Sequence, residues 1–119
     1  MKRIVMLLMV LSIGFTYAQK ETKLKLNEET NLFEVTMYHD NGEISQTGFY
    51  TKEKKPHGDW FSYNTDGERI VSAKYDKGLK VGTWFFWKGN QMQEVVYSNG
   101  RISSVGEWKD VESALAINK

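Results

Sequence analysis

From about residue 33 onward, short runs in which apolar and polar residues alternate are cut at intervals by glycine-bearing turns. In "RIVSAKY" (69–75), Val71, Ala73 and Tyr75 fall on one face of an extended strand and Ile70, Ser72 and Lys74 on the other. "DWFSY" (59–63), "TWFFW" (83–87) and "MQEVVY" (92–97) read as further strands, rich in the aromatic and β-branched residues that pack on a pleated surface. Between such runs lie Asn41-Gly42, Asp66-Gly67 and Asn99-Gly100, pairs that tolerate the positive φ of tight hairpin turns, and "NTDGE" (64–68) reads as a type I′ turn. The aromatic strands break the alternation. In "WFFW" Trp84 and Phe86 take one face and Phe85 and Trp87 the other, so the sheet must be covered on both faces, curl, or pair with something.

The pattern recurs. Gly58, Trp60 and Tyr63 map onto Gly82, Trp84 and Trp87 at a spacing of 24, and Gly67, Tyr75 and Gly78 onto Gly89, Tyr97 and Gly100 at 22, the second copy being two residues shorter in its turn. Tyr38, Gly42 and Tyr50 lie 25 before Tyr63, Gly67 and Tyr75, while Gly106 and Trp108 lie 24 after Gly82 and Trp84. A fixed period of this kind marks a repeat architecture, and each unit contains two strands and a turn, one β-hairpin. The expectation is an all-β antiparallel meander of consecutive hairpins over 33–108, with about three and a half units.

The stretches "YDKGLKVGTWFFWKGN" and "YTKEKKPHGDWFSYNTDG" resemble the MORN-repeat variant of small bacterial proteins, many of which are grouped as a YwqK-type antitoxin family. The resemblance implies a meandering antiparallel sheet. It associates the chain with lipid binding, membrane-linked scaffolding or dimer assembly, and by grouping with an antitoxin or immunity-like role. The chain departs from the pattern, with Val35 in the first unit where Trp60 stands in the second, and Lys54 or Lys55 where Gly78 stands.

Both ends differ from the repeat. Residues 1–18 read as a secretory signal: Lys2 and Arg3, an apolar run from Ile4 to Phe15, and Thr16-Tyr17-Ala18 before a cleavage point at Ala18-Gln19. The expected product is periplasmic or secreted. Residues 19–32, polar and charged, read as a flexible arm, and 109–119 as a short C-terminal helix, with Asp110 as cap and Val111, Ala114 and Leu115 at helical spacing. Pro56 sits in a loop, where it removes no ladder hydrogen bond.

Composition narrows the chemistry. There is no cysteine, which excludes disulfides and thiolate-bound metal. Taking Lys2 and Arg3 from the 16 basic residues leaves 14 against 15 acids, a balance that gives nucleic acid no basic surface to bind. The chain holds no nucleophile elbow, P-loop, H-E-x-x-H or G-x-G-x-x-G motif. Asp59, Asp66, Glu68 and Asp76 are the candidate carboxylates for a small carbohydrate-active hydrolase, although Asp66, Glu68 and Asp76 sit in or beside turns where such residues have local roles. His57 with Asp59 supplies two groups where a metal site needs more, so no cofactor or metal is expected.

The aromatics remain. Trp60, Tyr63, Trp84, Trp87 and Trp108 form the candidate binding face, and Gly58, Gly67, Tyr75, Gly78, Gly82, Gly89, Tyr97 and Gly100 define the repeat. Rings on neighbouring strands are first the core of a thin sheet. If one row stays exposed, it suits a protein partner or a second copy, with membrane lipid and glycan as further ligands. The reading is an exported, non-catalytic binding or scaffolding module.

Overall fold

The computed structural model describes residues 22–112. These form one antiparallel sheet in which strands follow each other in space as in sequence: β1 (Lys23–Asn27), β2 (Leu32–Tyr38), β3 (Ile44–Tyr50), β4 (Gly58–Tyr63), β5 (Arg69–Asp76), β6 (Leu79–Lys80), β7 (Gly82–Lys88), β8 (Gln91–Ser98), β9 (Arg101–Val105) and β10 (Lys109–Asp110). The sheet is the expected all-β meander. Strands β6 and β7 both lie along β5, and β9 and β10 both lie along β8.

One expectation fails at the N-terminal end, and the C-terminal end differs in detail. Residues 23–27, read as part of a flexible arm, are strand β1, paired with β2 from Lys23 opposite Thr36 to Asn27 opposite Leu32. The alternation Lys-Leu-Lys-Leu is itself a strand signal, and the charges mark an edge position. Lys109 and Asp110 pair with Met92 and Gln91 of β8, and Val111 and Glu112, directly after the expected cap Asp110, are helical. The rest of that expected helix beyond Glu112, and the signal at 1–18, lie outside the described residues.

Turn chemistry explains the shape of each hairpin. At Asn99 (φ 49°) and Gly100 (φ 82°) two consecutive left-handed residues make the type I′ turn between β8 and β9. The β4–β5 turn was expected to be of the same type. There only Gly67 is left-handed (φ 85°), its N–H reaching the Asn64 carbonyl at 3.0 Å while the Asn64 side chain accepts the N–H groups of Asp66 and Glu68. That is a type I turn followed by a bulge, and the register slips between Ser62 and Tyr63 accordingly. The β2–β3 turn repeats it 25 residues earlier, with Gly42 bonded to His39 and a slip after Met37.

Neighbouring turns also bond to one another. At one side of the sheet Gly78 N–H donates to Pro56 O (2.8 Å) and Gly100 N–H to Lys80 O (2.9 Å). At the other, His39 Nε2 donates to Tyr63 O (2.8 Å) and Asn41 Nδ2 to Thr65 O (3.1 Å). Each contact joins a hairpin to the next, so the sequence period becomes a ladder.

The core lies on one face. Val35, Trp60, Ala73, Trp84 and Val95 are buried there, with Met37, Tyr50, Val71, Tyr75, Phe86 and Tyr97 packed against them. Its spine is a row of rings taken in turn from β3, β4, β5, β7 and β8: Tyr50, Trp60, Tyr75, Trp84 and Tyr97, with successive centroids 5.2, 6.3, 5.2 and 5.1 Å apart and tilted or edge-on planes. Each such pair stabilises by about 0.5–1.5 kcal/mol beyond the area it buries. Gly48 makes room for the row, since a Cβ there would overlap the six-membered ring of Trp60.

Candidate binding surface

Trp60 and Trp84 owe their burial to a shared local device. Gly58 (φ 77°) and Gly82 (φ 70°) are left-handed, a conformation that costs other residues about 1–2 kcal/mol, and each turns its strand so that the tryptophan two residues on lies across the sheet. The Trp60 indole then donates to Phe49 O and the Trp84 indole to Lys74 O, both at 3.1 Å. The same carbonyls accept the N–H of His57 (2.9 Å) and Val81 (3.0 Å). With both exposures at 6 %, these tryptophans are core and are unavailable as a ligand platform.

The five aromatics expected to share a binding face do not share one. Residues three apart in a strand point to opposite sides. Tyr63 therefore lies away from Trp60, and the Arg69 guanidinium stands 4.0 Å from the Phe61 ring centre and 5.9 Å from that of Tyr63. Trp87 lies away from Trp84, stacked on Phe85 with 6.0 Å between centroids. Within the Tyr-Trp row Tyr75 meets Trp60 and Trp84 edge-on, so the row is packed against itself. Lys80 Nζ stands 4.9 Å from the Trp84 ring and 5.2 Å from that of Tyr97. Burial, with smaller contributions from Tyr97 and Tyr50, raises the pKa of Tyr75 above its ordinary value.

Trp108 behaves differently. Gly106 is absent from the left-handed residues, its N–H bonds Glu94 O at 2.8 Å, and Gln93 Nε2 bonds its carbonyl at 3.0 Å. A register slip between Val96 and Tyr97 lets β9 run on for five residues where β6 runs for two. Trp108 is left 41 % exposed.

Around it lies the open apolar surface of the sheet. Val71, Phe86, Gln93, Val95, Tyr97, Ile102, Val105 and Trp108, together with Ile70, Trp87 and Lys88, line a shallow groove of about 480 Å³. Ile102 sits opposite Tyr97 and Val105 opposite Val95, so the slip at Ser103 brings both apolar residues of β9 to the core face. They are 58 % and 55 % exposed. Sequence reasoning missed Ile102 and Val105, because strict alternation along "RISSV" would set them on opposite faces; the signal for Gly48 was its place 25 residues before Ala73.

The candidate carboxylates stay apart from this groove. Asp66 and Glu68 lie exposed in the β4–β5 turn, and Asp59 is exposed on β4 opposite Lys74. His57 turns to Asp76 rather than Asp59: its Nδ1 accepts the Lys77 N–H at 3.1 Å, and Asp76 Oδ1 is 3.8 Å away. Among the described residues no three His, Asp or Glu side chains converge as metal ligands would. Comparison of the chain with family models, curated proteins and solved structures found no match.

Proposed function

We propose that the chain is an exported β-repeat protein of the MORN-like kind, working as a binding or scaffolding module through contacts with protein. The observation that carries this reading is the groove at the β8–β9 end, where Ile102, Val105 and Trp108 stand exposed beside core rings. Apolar surface concentrated in one place and rimmed by polar residues is what interaction sites present. The apolar run at 4–15 supports export, and the 24-residue recurrence of Gly-x-Trp supports the repeat family.

The test is capture from envelope extract with the chain from Gln19 to Lys119 as bait, alongside its Trp108→Ala variant. Partners should be held by the parent chain and lost by the variant. Equal capture by both, or none by either, would overturn the reading.

A further inference from the structure

We propose that β9 is a self-pairing edge through which two copies of this chain join their sheets antiparallel about a two-fold axis. The inference rests on the protein-binding reading above and assigns it one occupant. Of the seven exposed large hydrophobics among the described residues, five lie at the two ends of the sheet: Leu24 and Leu26 on β1, and Ile102, Val105 and Trp108 on or beside β9. Among the described residues no strand pairs with the outer side of either terminal strand. Free N–H and C=O groups there are a template for another strand.

Charge separates the two ends. Strand β1 reads Lys-Leu-Lys-Leu-Asn. Pairing it antiparallel with its own copy so that the leucines share a face brings lysines opposite lysines, which is destabilising. Lysines on an edge are a common guard against such pairing. Strand β9 reads Arg-Ile-Ser-Ser-Val and carries no such guard along its middle. One register suits it: Ile102 opposite Val105 of the other copy, and Ser103 opposite Ser104. Because the slip at Ser103 sets Ile102 and Val105 on the core face, all four apolar side chains of the joint then lie on that face and wall in both grooves. Arg101 falls beside Gly106 of the other copy, next to its Glu107, so the ends of the joint bring opposite charges together. An isologous joint of this kind closes at two copies, whereas β9 on β1 of a further copy would grow without end.

Sedimentation equilibrium of the chain from Gln19 to Lys119 tests this. The parent chain should show twice the monomer mass. Val105→Lys and, independently, Ile102→Lys should return it to the monomer mass while keeping a cooperative unfolding transition. Leu24→Lys, at the other end, should stay dimeric. The register is tested by mixing Ser103→Cys with Ser104→Cys chains under mild oxidation, which should link the two variants to each other in preference to themselves. A parent chain that stays monomeric at every concentration overturns the proposal. So does dissociation by Leu24→Lys, or a mass that climbs without limit. A monomeric parent that still captures envelope partners, and loses them in Val105→Lys, overturns self-pairing while leaving the binding role standing.

Discussion

Trp84 and Trp108 each follow a glycine by two residues and lie 24 apart, yet one is 6 % exposed and the other 41 %. The difference begins at the glycine. Gly82 is left-handed and ends the short β6–β7 detour along β5, so the indole drops across the sheet and donates to Lys74 O. At Gly106 the backbone stays outside that region, and the register slip in β9 has already moved the chain relative to β8. The motif is therefore a permission. A carbonyl on the neighbouring strand and a left-handed glycine must both be in place before the tryptophan becomes core.

The largest break in that comparison should come from removing the core indole. Trp84→Ala, and Trp60→Ala likewise, should cost about 3–5 kcal/mol of unfolding free energy in a denaturant titration. Next comes Gly48→Ala, whose added methyl meets the Trp60 ring and should cost about 1–3 kcal/mol through overpacking. Smaller again is the pair Gly82→Ala and Gly106→Ala. The first should cost about 1–2 kcal/mol for a left-handed alanine, and the second should cost less, its new Cβ meeting Glu94 O at 3.3 Å with no left-handed penalty.

Tyr75 sharpens the comparison from the solvent side. Its pKa is raised on folding, so its contribution is fully present below the unfolded value of 10.0 and is lost as pH climbs through the folded value. Unfolding midpoints should fall above about pH 10, and Tyr75→Phe should flatten that fall. The smallest effect on stability belongs to Trp108→Ala, within about 0.5 kcal/mol of the parent chain in the same titration, although it should abolish partner capture.

Much of the fold was legible in the residues. The all-β meander, the hairpin turns and the sides taken by Val71, Ala73 and Tyr75 follow from period-two alternation and from Asn-Gly and Asp-Gly pairs. Less of the surface was. Tyr63 and Trp87 were grouped with Trp60 and Trp84 through the repeat spacing, although a separation of three in a strand reverses the side chain. Ile102 and Val105 were hidden by the slip at Ser103, which depends on the partner strand and leaves no mark within "RISSV". Strand β1 was passed over because its lysines suggested solvent, when an edge strand carries both lysines and a ladder.

The bonds from Gly78 to Pro56 and from Gly100 to Lys80 tie each hairpin only to its neighbours. Sequence-local contacts of this kind favour fast folding, since little loop entropy is lost before each new strand finds its place. They also make the number of hairpins adjustable: a duplicated or deleted segment such as 51–75 meets the same acceptor carbonyl and the same turn on either side. Such a chain can change its reach over evolutionary time while keeping both of its ends unchanged.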